Sequence, residues 1–232
     1  MIRGLNEAAE VGGPVVIFDC NGVLVDSEQL ATTVLAEELT RAGFPLTADI
    51  IARYFTGRRQ ADVFAEVETA AGRKLPENFP ARVTAATLLR FQAELRPTAH
   101  AAHALTWLRG PKCVASSSTL NRIRMSLETT NLIRFFEPHL FSGSDVRRGK
   151  PAPDLFLLAA HRMCVAASDC IVVEDSPVGV TAAAAAGMTP IGFVGGTHAS
   201  PHLGAQLIAA GARTVIADMR ALKSTVIELR GW

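Results

Sequence analysis

Several chemically active side chains of this chain stand where apolar, strand-like segments end. The run from Val15 to Phe18 predicts a buried strand, and Asp19 follows it directly, with Asn21 two residues later. Further groups follow later predicted strands or their loops: Ser116, Lys150, Glu174 and Asp175. In a parallel sheet these ends lie along one edge, where open α/β folds build their ligand sites.

This combination of groups suits phosphate chemistry assisted by a magnesium ion. Asp19 is placed to act as a nucleophile. The Lys150 ammonium would neutralise a transferring phosphoryl group, and the Ser116 hydroxyl would hold its oxygens. Magnesium takes hard oxygen ligands, usually one or two carboxylates with phosphate and water, which Glu174 and Asp175 could supply. The residues themselves therefore predict a phosphate site that uses Mg²⁺.

Alternation of strand and helix patterns predicts an α/β fold with a doubly wound parallel sheet. Residues 27–96 show only helical spacing of apolar side chains, which predicts a helical cap domain inserted after the first strand. The core domain would then comprise residues 14–26 and 97–232. Further strands are expected over 112–115, 139–141, 170–174, 189–193 and 215–216.

Composition argues against several classes of protein. With 23 basic and 22 acidic residues the formal net charge is +1, so neither a nucleic acid nor a membrane surface is an expected partner. No apolar run is long enough to span a bilayer, and the amino terminus lacks a secretory pattern. The cysteines stand in apolar segments without metal-ligand spacing, which predicts buried, reduced thiols and a cytoplasmic protein. The oligomeric state is left between a monomer and a weak homo-oligomer.

Four motifs resemble those of the haloacid dehalogenase superfamily, in its phosphatase and β-phosphoglucomutase-like branch. They are Asp19-Cys20-Asn21-Gly22-Val23, Ala115-Ser116-Ser117-Ser118, Gly149-Lys150-Pro151-Ala152-Pro153-Asp154 and Val173-Glu174-Asp175-Ser176. They occur in the family's order at predicted strand ends, and the resemblance extends over about residues 15–229. It implies a Rossmann-like core with a mobile cap.

The resemblance also implies a mechanism. Asp19 would attack the phosphorus of a phosphomonoester and form an aspartyl phosphate, while Lys150 holds the nucleophile and the phosphate together. The other implied phosphate ligands are Ser116 and Ser117. Magnesium would be bound by Asp19, the backbone carbonyl of Asn21, Asp175 and, directly or through water, Glu174.

In the cap, the resemblance places one segment near the substrate and makes it the candidate for specificity. This segment is Thr56, Gly57, Arg58 and Arg59. The implied function is Mg²⁺-dependent hydrolysis of a small phosphorylated metabolite, a sugar phosphate or a sugar acid phosphate.

Asn21 departs from the family pattern, because family phosphatases carry an aspartate at this position. That aspartate protonates the leaving oxygen and then activates the hydrolytic water. An amide can bind an ion but cannot carry the proton, and general acid–base catalysis typically contributes roughly 10²–10⁴-fold. Three interpretations stay open: an engineered substitution in a phosphatase, a natural enzyme that is slow or differently equipped, and a chain that binds phosphorylated ligands without turnover.

Other activities of the superfamily suit the chain less well. Dehalogenation needs no metal, whereas Glu174 and Asp175 stand as they would for magnesium. Phosphonate hydrolysis needs a cap lysine, and Lys74, the only lysine of residues 27–96, stands in a polar loop. Mutases carry a histidine shortly after the first motif, and residues 26–31 contain none.

Overall fold

The computed structural model describes residues 14–55 and 58–230. The strands are β1 (Val15–Phe18), β2 (Lys112–Ser116), β3 (Leu140–Ser142), β4 (Cys170–Glu174), β5 (Thr189–Phe193) and β6 (Thr214–Ile216). They form a parallel sheet of six strands in the order β3-β2-β1-β4-β5-β6. The predicted doubly wound α/β fold is therefore confirmed, with β1 between β2 and β4 at the centre of the sheet.

Helices surround this sheet and form a separate group after β1. They are α1 (Glu28–Arg41), α2 (Ala48–Phe55), α3 (Gln60–Ala71), α4 (Phe79–Glu94), α5 (Ala101–Trp107), α6 (Leu120–Thr129), α7 (Asp154–Arg162), α8 (Pro177–Ala185), α9 (Leu203–Ala209) and α10 (Leu222–Arg230). The first four, α1 to α4, are here called the helical insertion. The rest of the described chain is called the sheet core.

The central strands are apolar on both faces because helices cover both sides of the sheet. All four residues of β1 and all five of β4 are buried. The two strands are in register, with Phe18 opposite Val173, and the Asp19 amide extends the ladder by donating to the Val173 carbonyl at 3.0 Å. Asp19 is thus held at the end of β1 by backbone bonds as well as by its own side chain.

The helical insertion has an apolar core of its own. Leu39 and Val83 pack there with the rings of Phe64 and Phe79, whose centroids lie 5.1 Å apart in an edge-on arrangement. At the end of α4 the packing changes, because Phe91 and Leu95 belong to the apolar cluster of the sheet core. The insertion is therefore anchored to the sheet core at its last helix.

The chain enters the insertion beside the point where it leaves it. Val25 and Pro97 form an antiparallel bridge between the two crossing segments. Two backbone hydrogen bonds flank this bridge: Asp26 N to Arg96 O (3.0 Å) and Thr98 N to Leu24 O (2.9 Å). The two linkers are thus joined as a short ribbon.

Two details differ from the expectations or extend them. The cysteines were expected to be buried, and three are, but Cys164 is exposed because it follows α7 in a surface turn with positive φ. Within residues 14–55 and 58–230, no helix is both long and apolar enough to cross a bilayer.

Candidate active site

A buried lysine joins the ends of β1 and β4. Lys150 Nζ donates to Asp19 Oδ1 and to Glu174 Oε1, at 2.6 Å in each case, and lies 3.3 Å from the Ala115 carbonyl oxygen. The Lys150 and Glu174 side chains are each 1% exposed. The structure therefore brings together three residues that come from separate motifs. Asp19, Lys150 and Glu174 are called the strand-end cluster below.

Burial controls the protonation of this cluster. It raises the pKa of Asp19 to about 7, with the neighbouring Glu174 acting in the same direction and Lys150 in the opposite one. Burial by itself would lower the pKa of Lys150, but the charges of Asp19 and Glu174 outweigh it and raise that pKa above its ordinary value. Lys150 therefore stabilises the ionised form of Asp19, which is the form that a nucleophile requires.

Glu174 is held on both of its oxygens. Oε1 accepts from Lys150, and Oε2 accepts from the Ser176 amide at 3.2 Å and from the Ser176 hydroxyl at 2.9 Å. Ser176 also caps α8 by accepting from the Gly179 amide at 3.1 Å. A methyl group at Gly179 would overlap the Glu174 carboxylate. Glycine is required there because the start of α8 sits directly against that carboxylate.

Asn21 and the serines after β2 connect the centre of the sheet with α6. The Asn21 amide nitrogen donates to Ser118 Oγ at 3.0 Å, while Asn21 Oδ1 is buried without a hydrogen-bond partner. Ser116 is 1% exposed, and its hydroxyl accepts from the Ser118 amide at 3.3 Å. Ser117 lies with these residues in the wall of the cavity described below. The Asn21 side chain thus donates a hydrogen bond to Ser118, whereas an ionised aspartate at this position could only accept one.

His198 was not singled out from the sequence, although it follows a strand as the predicted residues do. Its Nε2 lies 2.8 Å from Asp175 Oδ2, within ion-pair distance when the ring is protonated. The ring leaves no room for a methyl group at Gly196, and together with the Asp175 carboxylate it leaves none at Gly22. Burial raises the pKa of Asp175 to about 6, and the neighbouring His198 opposes this rise. The sequence does contain a signal for His198, because Gly195 and Gly196 follow β5 and a polar segment comes directly after them.

Glu28 and Arg122 are two further polar residues that sequence reasoning missed. Both line the cavity, Glu28 from the first turn of α1 and Arg122 from the first turn of α6. Burial raises the pKa of Glu28 to about 7, and Asp175 acts in the same direction. Burial lowers the pKa of Arg122, against the opposing influence of Glu28. The first turn of a helix that follows a strand faces the edge of the sheet where the strands end. The position of Glu28 and Arg122 in such turns was the signal that could have identified them.

A cavity of about 460 Å³ lies between the sheet core and the helical insertion. Its floor includes Asp19, Asn21, Ser116, Glu174 and Asp175. The volume falls in the range usual for small-molecule sites. The carboxyl ends of the strands therefore open into a space that suits a small metabolite.

Arg58 and Arg59, predicted near the substrate, lie in the opposite wall of this cavity. Arg58 pairs with Glu66 at 2.6 Å, and Arg59 pairs with Asp62 at 2.9 Å. Arg59 also packs over Gly149 of the sheet core, where a methyl group would meet its side chain. The two remaining residues of the predicted segment, Thr56 and Gly57, lie outside the described residues.

The donor atoms suit a hard cation that completes its shell with other oxygens. Among the described residues, no group of three His, Cys, Asp or Glu side chains converges closely enough to hold a metal by itself. The Asp175 carboxylate is nevertheless buried at the strand ends, and both it and Asp19 line the same cavity, where a hard cation could take oxygens from each. Magnesium commonly uses one or two carboxylates together with substrate phosphate and water. The residues fit such an ion.

Comparison with known proteins places this geometry in a family. A family model described as haloacid dehalogenase-like hydrolase matches residues 14–187. The 6-phosphogluconate phosphatase of Escherichia coli (strain K12) is 32% identical over 187 residues, which is 80% of this chain and 85% of the relative. The phosphorylated carbohydrates phosphatase of Thermotoga maritima is 30% identical over 87% of this chain and 93% of the relative.

Solved structures give the same result. A conserved haloacid dehalogenase-like protein of unknown function from Agrobacterium tumefaciens strain C58 superposes with a TM-score of 0.80 and 35% identity. The match covers 94% of this chain and 100% of that protein. Both the sheet core and the helical insertion therefore have counterparts in a solved structure.

Proposed function

Because the chain belongs to the haloacid dehalogenase-like hydrolases, we propose that it hydrolyses phosphomonoesters of small metabolites, in particular phosphorylated sugars or sugar acids. The observation that carries this proposal is the strand-end cluster, in which a buried lysine holds Asp19 at 2.6 Å at the bottom of the cavity. The names of the relatives agree, since both act on phosphorylated carbohydrates or their acids.

In this proposal Asp19 is the nucleophile. Its carboxylate attacks phosphorus in line with the leaving group, the bond from phosphorus to the leaving oxygen breaks, and an aspartyl phosphate forms, while the leaving oxygen takes its proton from water because Asn21 has none to give. Lys150 keeps Asp19 ionised and balances charge on the transferring group. Ser116 and Ser117 hold the phosphoryl oxygens at the end of β2. Water then attacks the phosphorus of the aspartyl phosphate, which releases inorganic phosphate and restores Asp19.

The proposal includes Mg²⁺ held by Asp19, Asp175 and the backbone carbonyl of Asn21. Glu174 would contribute through water, because both of its oxygens already accept hydrogen bonds from Lys150 and Ser176. When bound, the ion supplies charge that stabilises the phosphoryl oxygens in the transition state. Its charge would add to that of Lys150 in stabilising the ionised carboxylates of Asp19 and Asp175, which burial disfavours.

We further propose that residues 27–96 act as a cap domain over a core domain of residues 14–26 and 97–232. The cavity supports this division because its two walls come from these two parts of the chain. Closure of a cap excludes water and completes the set of groups around the substrate. Thr56, Gly57, Arg58 and Arg59 would then contribute to specificity.

Asn21 supports one second candidate function, the binding of phosphorylated ligands without turnover. Its amide nitrogen donates to Ser118, and its buried oxygen has no proton to give. Capture of phosphate by Lys150 and the serines does not depend on this side chain. Slow hydrolysis and simple binding therefore differ only in what happens to the leaving oxygen and the water.

Phosphate release from a panel of sugar phosphates with Mg²⁺ separates these functions. We expect Asn21→Asp to raise kcat by about 10²–10⁴-fold over the native chain, since it restores a general acid–base group. Adding Asp19→Ala to that variant should lower the rate by about 10⁴-fold or more, because the nucleophile is lost. Asp49→Ala, an exposed position in α2, is the matched control and should change nothing.

Two results would count against the proposal. Hydrolysis that persists after Asp19→Ala would refute the nucleophile. Tight binding of sugar phosphates by both the native chain and Asn21→Asp, without phosphate release from either, would establish the binding function instead.

A further inference from the structure

We propose that Arg122 forms a second anion subsite in the cavity, so that the preferred ligand is a phosphomonoester that carries another carboxylate or phosphate group. This inference rests on the proposed function, because the first phosphate is taken to bind at the strand-end cluster. It concerns the part of the ligand that does not react.

The cations around the cavity differ in whether they already have a partner. Lys150 is paired with Asp19 and Glu174. Arg58 and Arg59 are paired with carboxylates of the helical insertion. Of the arginines and lysines described in the cavity wall, Arg122 has no carboxylate oxygen within 4.0 Å, and its Nε is buried without a hydrogen-bond partner. Arg122 is therefore the cation of this wall that is free to bind an anionic ligand.

The environment of Arg122 holds the guanidinium in place without neutralising it. The Arg122 guanidinium carbon lies 4.9 Å from the centre of the Phe91 ring, which is fully buried at the end of α4. A guanidinium stacks well on an aromatic face and keeps its edge free for hydrogen bonds. The backbone is fixed as well, because the Arg122 amide donates to the Thr119 hydroxyl at the start of α6. Arg122 is thus positioned before any ligand arrives.

Glu28 is the carboxylate that could compete for Arg122. It lines the same cavity and influences the charge of Arg122, but it lies beyond ion-pair distance. Burial also raises the pKa of Glu28, which disfavours its negative charge. An incoming anion therefore meets a cation that Glu28 only partly offsets.

The chemistry of a guanidinium defines the class of ligand. Its planar set of N–H donors matches the two oxygens of a carboxylate or of a phosphate. Arg122 is partly exposed, but its Nε is buried without a hydrogen-bond partner, which is costly to a folded protein. An anionic group that accepts from this edge of the guanidinium would remove the cost and balance the charge, whereas a neutral hydroxyl would not balance it. The ligand class is therefore a doubly anionic metabolite with one anion at the strand-end cluster and the other at Arg122.

Equilibrium binding to three ligands with the same six-carbon open chain tests the inference. They are a hexitol 6-phosphate with one anionic group, gluconate 6-phosphate with an added carboxylate, and a hexitol 1,6-bisphosphate with an added phosphate. Titration calorimetry with Mg²⁺ present uses the full chain carrying Asp19→Asn, so that no ligand is consumed. Arg122→Gln and Arg122→Lys are compared with Arg124→Gln in this background. Arg124 is an exposed arginine of the same helix that pairs with Glu137.

We expect at least one doubly anionic ligand to bind about tenfold or more tightly than the hexitol 6-phosphate, because hydrogen bonds to a charged group are strong. The ligand with the larger increase in affinity over the hexitol 6-phosphate identifies the preferred second anion as a carboxylate or a phosphate. Arg122→Gln should abolish this preference while the hexitol 6-phosphate still binds, and Arg122→Lys should keep part of it. Arg124→Gln should leave the preference unchanged.

Equal affinity for the three ligands, or a preference that survives Arg122→Gln, would overturn the second subsite and leave the proposed function standing. Loss of hexitol 6-phosphate binding in Arg122→Gln would also overturn it, since Arg122 would then serve the first phosphate or the fold. A different result would refute both the proposed function and the inference. This result is that none of the three ligands binds either the Asp19→Asn chain or its Arg124→Gln control.

Discussion

The two walls of the cavity hold their charged groups in different ways. On the sheet core, Lys150 contacts residues that are 131 and 24 positions away in the chain, and all three side chains are buried. On the helical insertion, Arg59 pairs with Asp62 only three positions away, and Arg58 pairs with nearby Glu66. The Arg58 and Arg59 side chains are 29% and 27% exposed. The charged groups of the sheet core are therefore held by contacts between distant parts of the chain. Those of the helical insertion are held by pairs between residues close in sequence.

This difference separates what the two walls can do. Buried ion pairs between distant segments are rigid, and losing one partner leaves a charge that water cannot reach. Partly exposed pairs between residues close in the chain, such as those at the start of α3, contribute little to stability and can rearrange. The sheet core therefore suits the step that needs fixed geometry, and the insertion suits selection among ligands.

Replacing the buried lysine should cost far more than replacing an exposed one. We expect Lys150→Met to lower the free energy of unfolding by about 3 kcal/mol, because Asp19 and Glu174 lose their shared partner inside the protein. Lys74→Met, in the insertion, removes a lysine that is 86% exposed and should change stability by less than about 0.5 kcal/mol. Urea denaturation of both variants gives the comparison. Equal losses would contradict the rigidity of the strand-end cluster.

A methyl group against the rigid wall should also be destabilising. Gly179→Ala places its Cβ on the Glu174 carboxylate, which Lys150 and Ser176 hold in position. We expect it to lower the free energy of unfolding by about 1–3 kcal/mol, as overpacking typically does. Gly204→Ala in α9 is the matched control, because its Cβ meets only Val215 at 3.8 Å. A destabilisation no larger than that of the control would show that α8 can move.

The same methyl group against the insertion should be tolerated better. Gly149→Ala meets the side chain of Arg59, which is flexible and can swing aside. We expect a loss of less than about 1 kcal/mol in the free energy of unfolding, but a higher KM in the Asn21→Asp background because Arg59 is displaced. Denaturation together with phosphate release checks both parts. A loss as large as that of Gly179→Ala would mean that both walls are equally rigid.

The smallest effect on stability is expected from the local pair itself. Arg59→Gln should change the free energy of unfolding by about 0.3–0.5 kcal/mol, as is usual for pairs of this kind. In the Asn21→Asp background we expect KM to rise by less than about tenfold with kcat unchanged, which indicates lost ground-state binding. Arg53→Gln in α2 controls for the change of charge. A large fall in kcat would move Arg59 from ligand selection to the reaction itself.

The same contrast explains how far the sequence could predict the molecule. β1 is apolar and is followed by Asp19, and β4 is apolar up to its last residue, Glu174, which Asp175 follows, so strand position and chemistry coincide in the chain. The fold and the position of the strand ends followed from this pattern. Asp19 lies just beyond the end of β1, and its amide extends the backbone ladder without belonging to the strand.

Other residues could not be found because their importance depends on contacts between distant segments. Arg122 stands in an ordinary polar helix, and only the fold brings it beside Phe91 of α4 and the cavity. His198 is one of six histidines, and its position near Asp175 depends on the glycines that make room for its ring. Periodicity and motif spacing contain no information about such distances.

The ribbon that joins the two linkers has a mechanical consequence. Since Val25 and Pro97 are bridged and flanked by backbone hydrogen bonds, the linkers cannot separate without breaking these bonds. The entering linker is also attached to the loop before His198, because the Asp26 carboxylate accepts from the Thr197 hydroxyl at 2.8 Å. Pulling the helical insertion straight away from the sheet would strain all of these contacts at once. Rotation of the helical insertion about the ribbon strains these contacts least. We therefore expect the ribbon to act as a hinge, so that the cavity widens by this rotation.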